Sequence, residues 1–158
     1  MTAKGEQDGA ERSGGDDVEV RWVAGPDDLR GALALREEVF CGEQGVSREE
    51  EIDGLDDDAE HLVAVLPDAR VVGTLRLLHD GTRAKVGRVA VERSFRKRGI
   101  ASRMLALAIA RARMHGCTQA RLAAQVQATN VYERAGFTVE SGTFEEASIP
   151  HVWMGMRL

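Results

Sequence analysis

The sequence contains few aromatic residues, few cysteines and no long apolar run. Aromatic side chains make up 4% of the 158 residues, so the core must consist chiefly of Leu, Val, Ile and Ala. No stretch of about 18 apolar residues is present, so we expect no transmembrane helix, and the polar N-terminus shows no secretory signal. The two cysteines lie far apart and form no CxxC motif. This usage predicts free thiols in a reducing cytoplasm and no zinc ribbon.

The charged residues are divided between an acidic and a basic segment. The formal net charge of -5 by itself disfavours nucleic acid as a partner. Residues 43–60 contain nine acidic residues and one basic residue, whereas residues 83–121 contain eleven basic residues and one acidic residue. Segments of opposite charge can attract different ligands to different parts of one domain. Residues 49–60 would form a rim that attracts a cationic amine. The alternative, which we favour for most of these charges, is a solvated loop in which Asp53 and Asp56 cap turns.

The hydrophobic pattern predicts one α/β domain (α+β in some schemes) that is built on a mixed sheet. Residues 1–17 have too few apolar side chains to form a core and are predicted to be a disordered tail. The domain is expected to cover residues 18–158. Its predicted elements are a strand at 18–24, a helix from 26 to about 40, strands at 61–66, 70–78 and 85–91, a helix at 99–115, a strand at 121–124, a helix at 129–134 and strands at 137–140 and 152–156.

The segment 89–102, with the sequence VAVERSFRKRGIAS, predicts an anion site at the start of a helix. The first amides of a helix have no internal partners, and the helix dipole is positive there. Gly99 and Ala101 let an oxygen approach the backbone, and Ser102 adds a hydroxyl. Three cations come directly before the helix: Arg96, Lys97 and Arg98. Together these features are typical of a pyrophosphate site.

Two common nucleotide motifs are absent from this segment. It contains neither the Walker pattern GxxxxGK[ST] nor the GxGxxG pattern of dinucleotide-binding folds. The remaining alternative is a basic helix start that binds no ligand. We favour the anion site, because three cations at the positive end of a helix are unfavourable unless an anion binds there.

Several motifs in the sequence resemble those of one known enzyme family. RKRGIA at 96–101 resembles the acetyl-CoA signature [QR]-x-x-G-x-[GA] of the GNAT N-acetyltransferases, and VYERAGF at 131–137 resembles the YExxGF element of that family. Five blocks resemble its ElaA-like branch: VFCGEQ at 39–44, EIDGLDDDAEHLVA at 51–64, GRVAV at 87–91, AQVQA at 124–128 and IPHVWM at 149–154. The resemblance covers residues 18–158.

The resemblance implies the GNAT fold and acetyl-CoA as co-substrate. In that fold a mixed central sheet of six to seven strands is flanked by about four helices, and the sheet splays apart at the strand that binds the cofactor. The pantetheine arm of CoA would bind the backbone of this strand, which corresponds to Val89, Ala90 and Val91. The pyrophosphate would bind the loop and helix start that follow, at Arg96, Lys97, Arg98, Gly99, Ile100, Ala101 and Ser102.

The resemblance also implies a proton donor. The tyrosine of the family corresponds to Tyr132, the only tyrosine of the chain. Its phenol would protonate the departing thiolate of CoA, and the alternative is an aromatic residue of the core. Gln125 stands where relatives often have an asparagine that contacts CoA. The glutamate that many relatives use as general base is missing, because the nearby strand positions hold Lys85 and Arg88.

The general base would therefore be an ordered water chain or a residue on the acceptor side. The candidate residues are Glu43, His79 and His151. We expect His151 to contact the substrate, together with Glu43, Gln44 and Arg36, of which Arg36 would contact a carboxylate or be a solvated charge. Cys41 and Cys117 are interpreted as packing residues. We expect no metal, because His61 has strand neighbours and shows no ligand spacing.

The leading function is an N-acetyltransferase that moves an acetyl group from acetyl-CoA to a primary amine of a small molecule or peptide by direct attack. A non-catalytic domain that binds acyl-CoA and acts as a sensor or regulator is the alternative. A nucleic-acid binder that uses the basic segment is a third possibility, but the sequence lacks a recognised motif and has few aromatics for stacking. The expectation is a cytoplasmic monomer or homodimer without nucleic-acid or membrane partners.

Overall fold

The computed structural model describes residues 17–158, and the tail predicted at 1–17 lies outside the described residues except for Asp17. The strands are β1 (Glu19–Trp22), β2 (Glu60–Val65), β3 (Val71–His79), β4 (Arg83–Val91), β5 (Gln119–Gln125), β6 (Thr138–Val139), β7 (Phe144–Glu146) and β8 (Ile149–Arg157). The helices are α1 (Pro26–Arg36), α2 (Arg48–Glu51), α3 (Ile100–Met114) and α4 (Thr129–Ala135). A π-helical turn, Glu37–Glu43, extends α1.

The eight strands found within residues 17–158 belong to one mixed sheet. Their order is β1-β2-β3-β4-β5-β8-β6, and β7 pairs with β8 beyond the end of β6. Every pairing is antiparallel except that of β4 with β5, which is parallel. The mixed sheet and the four helices confirm the predicted fold class. The sheet has one strand more than the expected six to seven, because β7 was not predicted.

Helix α1 packs on one face of the sheet. It begins at Pro26, whose fixed φ suits a first helical turn. Ala32 is buried against Val63 and Val65 of β2. Gly31 lies so close to β3 that a Cβ atom there would be 2.5 Å from Cγ2 of Val71. The helix therefore lies directly on the sheet and carries the following π-helical turn towards the end of β4.

Helix α3 packs against the main hydrophobic cluster of the sheet. Its buried side chains recur at the spacing of one helical face: Ile100, Met104, Leu105, Ala108, Ile109 and Ala112. These side chains belong to the same core cluster as Leu62, Val72, Leu77 and Val86. Among the described residues, no helix has the length and apolar character that a membrane span requires.

Candidate active site

Strands β4 and β5 separate after a short parallel pairing. Only Arg83, Ala84 and Lys85 of β4 pair with β5, opposite residues 119–121. Beyond Lys85, β4 and β5 are no longer paired with each other, although both strands continue for several residues. The edge of β4 that faces β5 is therefore open over the segment that contains Val89. This gap is the splay that the family resemblance implies.

A β-bulge distorts β4 beside the gap. Thr74 of β3 pairs with Ala90, whereas Arg76 pairs with Gly87, so β4 contains one extra residue over this stretch. Arg88 within the bulge has a φ of 53°, an uncommon conformation for a residue with a side chain. Bulges often redirect side chains next to functional sites. Here the bulge turns the Arg88 guanidinium towards the acidic segment of the chain.

A cavity of about 470 Å³ opens in the gap. Its wall from β4 contains Val86, Gly87, Arg88 and Val89, and its wall from β5 contains Leu122, Ala123 and Gln125. Tyr132 of α4 and His151 of β8 also line it, as do Phe40, Gln44 and Val46 from the end of α1 and the turn after it. The acidic segment contributes Glu50, Glu51 and Asp53, and the hairpin of β7 and β8 contributes Glu146, Ala147 and Ile149. A cavity of this size suits a small-molecule site.

The loop between β4 and α3 presents the start of a helix. Lys97 and Gly99 both have positive φ angles, of 64° and 80°, and Gly99 is the N-cap of α3. The first helical hydrogen bond of α3 runs from the Arg103 amide to the Gly99 carbonyl, so the amides of residues 100–102 precede it. This arrangement of amides is typical of phosphate sites at helix N-termini. The side chain of Ile100 itself is buried in the core.

The three cations of this loop are exposed, and two of them have contacts within the chain. Arg96 donates from Nε to the Val91 carbonyl oxygen at 2.8 Å and from Nη2 to Glu43 Oε1 at 2.8 Å. The guanidinium of Arg98 lies over the Phe95 ring, 5.0 Å from its centroid. Loop residues 96–98 and the amides of residues 100–102 thus lie beside the end of β4, as expected for adjoining parts of one anion site.

The three residues of β4 that are predicted to contact CoA have different environments. Val89 lines the cavity. Ala90 is buried against Leu35 and Val39 on the face that α1 covers. The carbonyl oxygen of Val91 already accepts a hydrogen bond from Arg96. The side chains of Val89 and Val91 both pack against the main core cluster.

Tyr132 lies between the core and the cavity. Its side chain is 9% exposed and packs edge-to-face on Phe137, with ring centroids 6.4 Å apart. Helix α4 ends at Gly136, whose φ of 112° requires glycine, and the Phe137 amide then donates to the Tyr132 carbonyl. Burial raises the pKa of Tyr132 to about 12. The phenol therefore keeps its proton at every pH near neutrality.

Gln125 and Gln44 form a bridge across the cavity wall. Gln125 Nε2 donates to Gln44 Oε1 at 2.9 Å, and Gln127 Nε2 donates to Gln125 Oε1 at 2.9 Å. The bridge connects the end of β5 with the turn after α1. Both ends of the Gln125 amide are therefore engaged with neighbouring side chains, and a contact to CoA would add to these bonds or replace one of them.

His151 is held in one orientation at the cavity wall. The residue is 7% exposed, pairs with Gln125 across β5 and β8, and stacks on Phe144. Its Nδ1 lies 2.6 Å from the carbonyl oxygen of Ile149. Because a carbonyl oxygen only accepts, Nδ1 carries a proton in this contact. In the neutral ring, the lone pair then lies on Nε2.

Arg36 lies in a buried ion-pair network and does not line the cavity. Its side chain is 1% exposed, and its guanidinium binds Glu51 at 2.8 Å and Asp56 at 2.8 Å. The expectation of a solvated charge is therefore wrong, and a substrate carboxylate would have to displace buried partners to reach this guanidinium. The sequence could not show this pairing, because Glu51 and Asp56 are 15 and 20 residues away.

Two further arginines complete the network. Arg76 of β3 binds Asp53 and Asp56, and Arg88 in the bulge binds Glu51 and Asp53. The Arg76 guanidinium, as the strongest influence, holds the pKa of Asp53 well below its usual range. Asp53 also accepts the Leu55 amide, as expected for a residue that caps a turn. The prediction of a solvated loop is nevertheless wrong for Glu51, Asp53 and Asp56, because arginines bind all three.

Two of the three proposed bases do not line the cavity. Glu43 binds Arg96 and Arg93, and the hydrogen bond from Arg96 lowers the pKa of Glu43, so its carboxylate is a weak base. His79 stacks on His115 at the end of β3. His151 is the candidate that lines the cavity.

Cys41 and Cys117 are free, and burial raises the pKa of both thiols, in agreement with packing roles.

The sequence pattern missed several lining residues. The most prominent is Glu146 at the end of β7, next to a hairpin turn in which Ala147 and Ser148 have φ angles of 52° and 64°. Two successive positive φ angles normally call for Asn or Gly, so the Ala-Ser pair gave no turn signal.

Comparisons with known proteins agree with this geometry. The family model described as "Acetyltransferase (GNAT) domain" matches residues 27–158. An N-acetyltransferase of Bacillus subtilis, YjcF, is 36% identical over 80% of this chain and 90% of its own length. The crystal structure of an acyl-CoA N-acyltransferase from Pseudomonas aeruginosa is 30% identical, with a TM-score of 0.73 over 88% of this chain and 98% of that chain. That of Escherichia coli ElaA is 26% identical, with a TM-score of 0.77 over 87% of this chain and 98% of that chain.

Proposed function

The chain belongs to the GNAT acetyltransferase family and is therefore an acyltransferase, and we propose that it moves an acetyl group from acetyl-CoA to a primary amine of a small molecule or peptide. The observation that carries this proposal is the cavity between β4 and β5, with Tyr132 in its wall. An extended ligand in a cavity between two strands can form hydrogen bonds with the backbone of the unpaired strand edge. The walls of the cavity also exclude water from the bound ligand.

The unpaired edge of β4 and the start of α3 fit the two parts of CoA. The pantetheine arm contains amides, which match the free backbone groups of β4 between Val86 and Val91. The pyrophosphate matches the amides of residues 100–102 and the cations at 96–98. Arg96 already bonds to the Val91 carbonyl, so it would connect the two parts of the site.

The reaction requires the amine to attack the thioester carbonyl. A carbon–nitrogen bond forms, the carbon–sulfur bond breaks, and the thiolate of CoA leaves. The attacking nitrogen must lose a proton, and the thiolate must be stabilised as its charge develops. Both tasks fall to groups at the cavity wall.

Tyr132 stabilises the leaving thiolate. With a pKa of about 12 its phenol is a poorer acid than an ordinary thiol, whose pKa is near 8.5. The phenol therefore acts chiefly by donating a hydrogen bond to the sulfur, and the thiolate of CoA is protonated afterwards by the proton that the base has taken from the amine. A hydrogen bond to a charged group inside a protein is worth about 1.5–3 kcal/mol.

His151 is the proposed base. The contact of Nδ1 with the Ile149 carbonyl leaves the lone pair on Nε2, which would accept the proton of the amine directly or through a water molecule. Its place on β8, opposite the end of β5, puts the ring in the same cavity as Tyr132.

Two carboxylates at the cavity rim support an amine as acceptor. Glu51 and Asp53 are neutralised by arginines, whereas the Glu50 carboxylate accepts hydrogen bonds from the amide and hydroxyl of Ser47 within the cap of α2. Glu146 is exposed at the opposite rim. These two acids, one on each side, would favour the approach of a protonated amine.

The test is release of free thiol from acetyl-CoA across a panel of primary amines, with the acetylated product identified by mass spectrometry. We expect turnover with at least one amine, and Tyr132→Phe should reduce kcat by roughly 10- to 100-fold with unchanged affinity for CoA. Stoichiometric binding of CoA without turnover across the panel would favour the sensor function. Absence of CoA binding would exclude both functions.

A further inference from the structure

Three metal-ligating side chains meet at the end of the sheet, on the side that α3 covers. Glu60 begins β2 and pairs with Leu77 of β3, and Leu77 and His79 alternate onto the same face. His115 is the C-cap of α3, which packs on that face. The topology therefore brings three residues that are distant in sequence to one place.

The ligand atoms of Glu60, His79 and His115 all lie within 4.8 Å of one another. His115 Nε2 is 2.6 Å from Glu60 Oε1, and the rings of His79 and His115 stack with centroids 4.1 Å apart at an angle of 18°. The other oxygen of Glu60 accepts from Arg111 at 3.2 Å. Arg111 in turn lies over the Trp22 ring, so the carboxylate is held in place.

We propose that Glu60, His79 and His115 bind a divalent transition-metal ion, with Zn²⁺ as the best match. Two imidazoles and one carboxylate are the protein ligands of many zinc sites that keep a fourth position for water. Imidazole nitrogen also selects against Mg²⁺ and Ca²⁺, which prefer oxygen ligands. Arg111 orients the carboxylate in the way that outer-shell groups orient metal ligands.

Binding requires one local rearrangement. A metal ion lies in the plane of each imidazole that binds it, so the near-parallel stack of the two rings must open. His79 is exposed and can change rotamer at little cost, whereas Glu60 and His115 are half-buried and already in contact. The proton on His115 Nε2 would move to Nδ1 or to solvent as the metal takes its place.

The site is separate from acyl transfer. None of the three residues lines the cavity between β4 and β5. A bound ion would connect the beginning of β2, the end of β3 and the end of α3, so its expected effect is on stability. No local motif indicates this site, because the three ligands are spread over 56 residues with no motif spacing.

The test uses chelator-treated protein in a Cys41→Ser background, which removes the partly exposed thiol as a competing zinc ligand. Calorimetry with zinc chloride should show one site per chain. At a hundredfold excess over Kd, Tm should rise by roughly 5–10 °C. Co²⁺ should give the visible absorption bands of a tetrahedral site.

Two variants decide the assignment. His79→Ala removes an exposed ligand with little effect on folding, and Glu60→Gln retains hydrogen bonding to Arg111 but loses the charge. Each should weaken zinc binding more than tenfold, while the control Glu145→Gln, an exposed acid elsewhere, should leave it unchanged. Absence of one-site binding, or affinity in His79→Ala and Glu60→Gln equal to that of the parent, would overturn the proposal.

Discussion

Nδ1 of His151 lies 2.6 Å from the carbonyl oxygen of Ile149, two residues earlier on the same strand. This contact fixes both the orientation of the ring and the nitrogen that carries the proton. The ring is also packed on Phe144, so it has little freedom to turn. A histidine held in this way at a cavity wall has the arrangement that a general base needs.

We therefore predict that His151→Gln lowers kcat for acetyl transfer by roughly 10²- to 10⁴-fold, the range typical of general acid–base catalysis. Glutamine fills similar space and keeps a donor for the Ile149 carbonyl, but it cannot accept a proton. Steady-state kinetics with acetyl-CoA and the amine measure the effect on kcat.

The matched control is His79→Gln. His79 does not line the cavity between β4 and β5, so its replacement should leave kcat within about twofold of the parent, measured in metal-free buffer. A His151→Gln enzyme with parental kcat would remove His151 from the reaction and leave an ordered water chain as the base.

The single tyrosine allows a direct measurement of its ionisation. Burial raises the pKa of Tyr132 to about 12, above the value near 10 of an exposed phenol. Absorbance at 295 nm during an alkaline titration should therefore show a midpoint well above 10 in the folded protein and near 10 in urea. Between pH 10 and 12 the unfolded state binds fewer protons, so stability should fall as the pH rises through that window. A midpoint near 10 in the folded protein would contradict the buried environment.

The part of the site that is assigned to CoA, with loop 96–102 and Tyr132, was more predictable from the sequence than the part assigned to the acceptor, with His151 and Glu146. The loop 96–102 and Tyr132 lie in continuous segments whose local pattern specifies strand, turn and helix start. The position of His151 in the cavity depends on the pairing of β5 with β8, which no local pattern encodes. Similarly, Glu146 reaches the rim through a hairpin turn in which Ala147 and Ser148 have positive φ angles, without the Asn or Gly that such a turn favours.

Arg36 provides a test of the buried network. Arg36→Leu would leave Glu51 and Asp56 with one arginine fewer each, so we expect the free energy of unfolding to fall by about 3 kcal/mol. Urea denaturation measures the change. Arg48→Leu is the control, because Arg48 is 69% exposed and its pair with Glu37, at 3.6 Å, should contribute less than about 1 kcal/mol. Equal effects of the two substitutions would show that the network adds nothing to stability.

The same network predicts a dependence of stability on acid pH. The pKa of Asp53 is lowered in the folded state by the Arg76 guanidinium, so below about pH 4 the unfolded state binds more protons than the folded state. The stability that Asp53 contributes is thus present above pH 4. It is lost as the pH falls towards the pKa that Asp53 has in the folded state. Asp53→Asn should flatten the decline of the unfolding free energy between pH 5 and 2.

Asp57→Asn serves as the control for this pH dependence. Asp57 is exposed and has no arginine partner in the described part of the chain, so its replacement should leave the slope unchanged. If the unfolding free energy of Asp53→Asn declined with falling pH as steeply as that of the parent protein, the proposed coupling to Arg76 would be contradicted.

The buried network also shows why composition alone misread the acidic segment. Its charges were counted along the chain, where residues 43–60 contain one basic residue. In the fold, three arginines from α1, β3 and β4 bind Glu51, Asp53 and Asp56, so three of the nine acidic side chains are neutralised by arginines from other elements. Sequence separations of 15 to 37 residues hide such pairs from any window-based analysis.

The most direct test of the central claim is amide hydrogen exchange with and without acetyl-CoA. If acetyl-CoA binds in the gap between β4 and β5, amides in peptides covering 86–91 and 96–102 should be protected several-fold, whereas those of β1 should not change. Protection in both segments together would support the proposed site. Absence of protection in these segments at saturating acetyl-CoA, or protection confined to other segments, would contradict it.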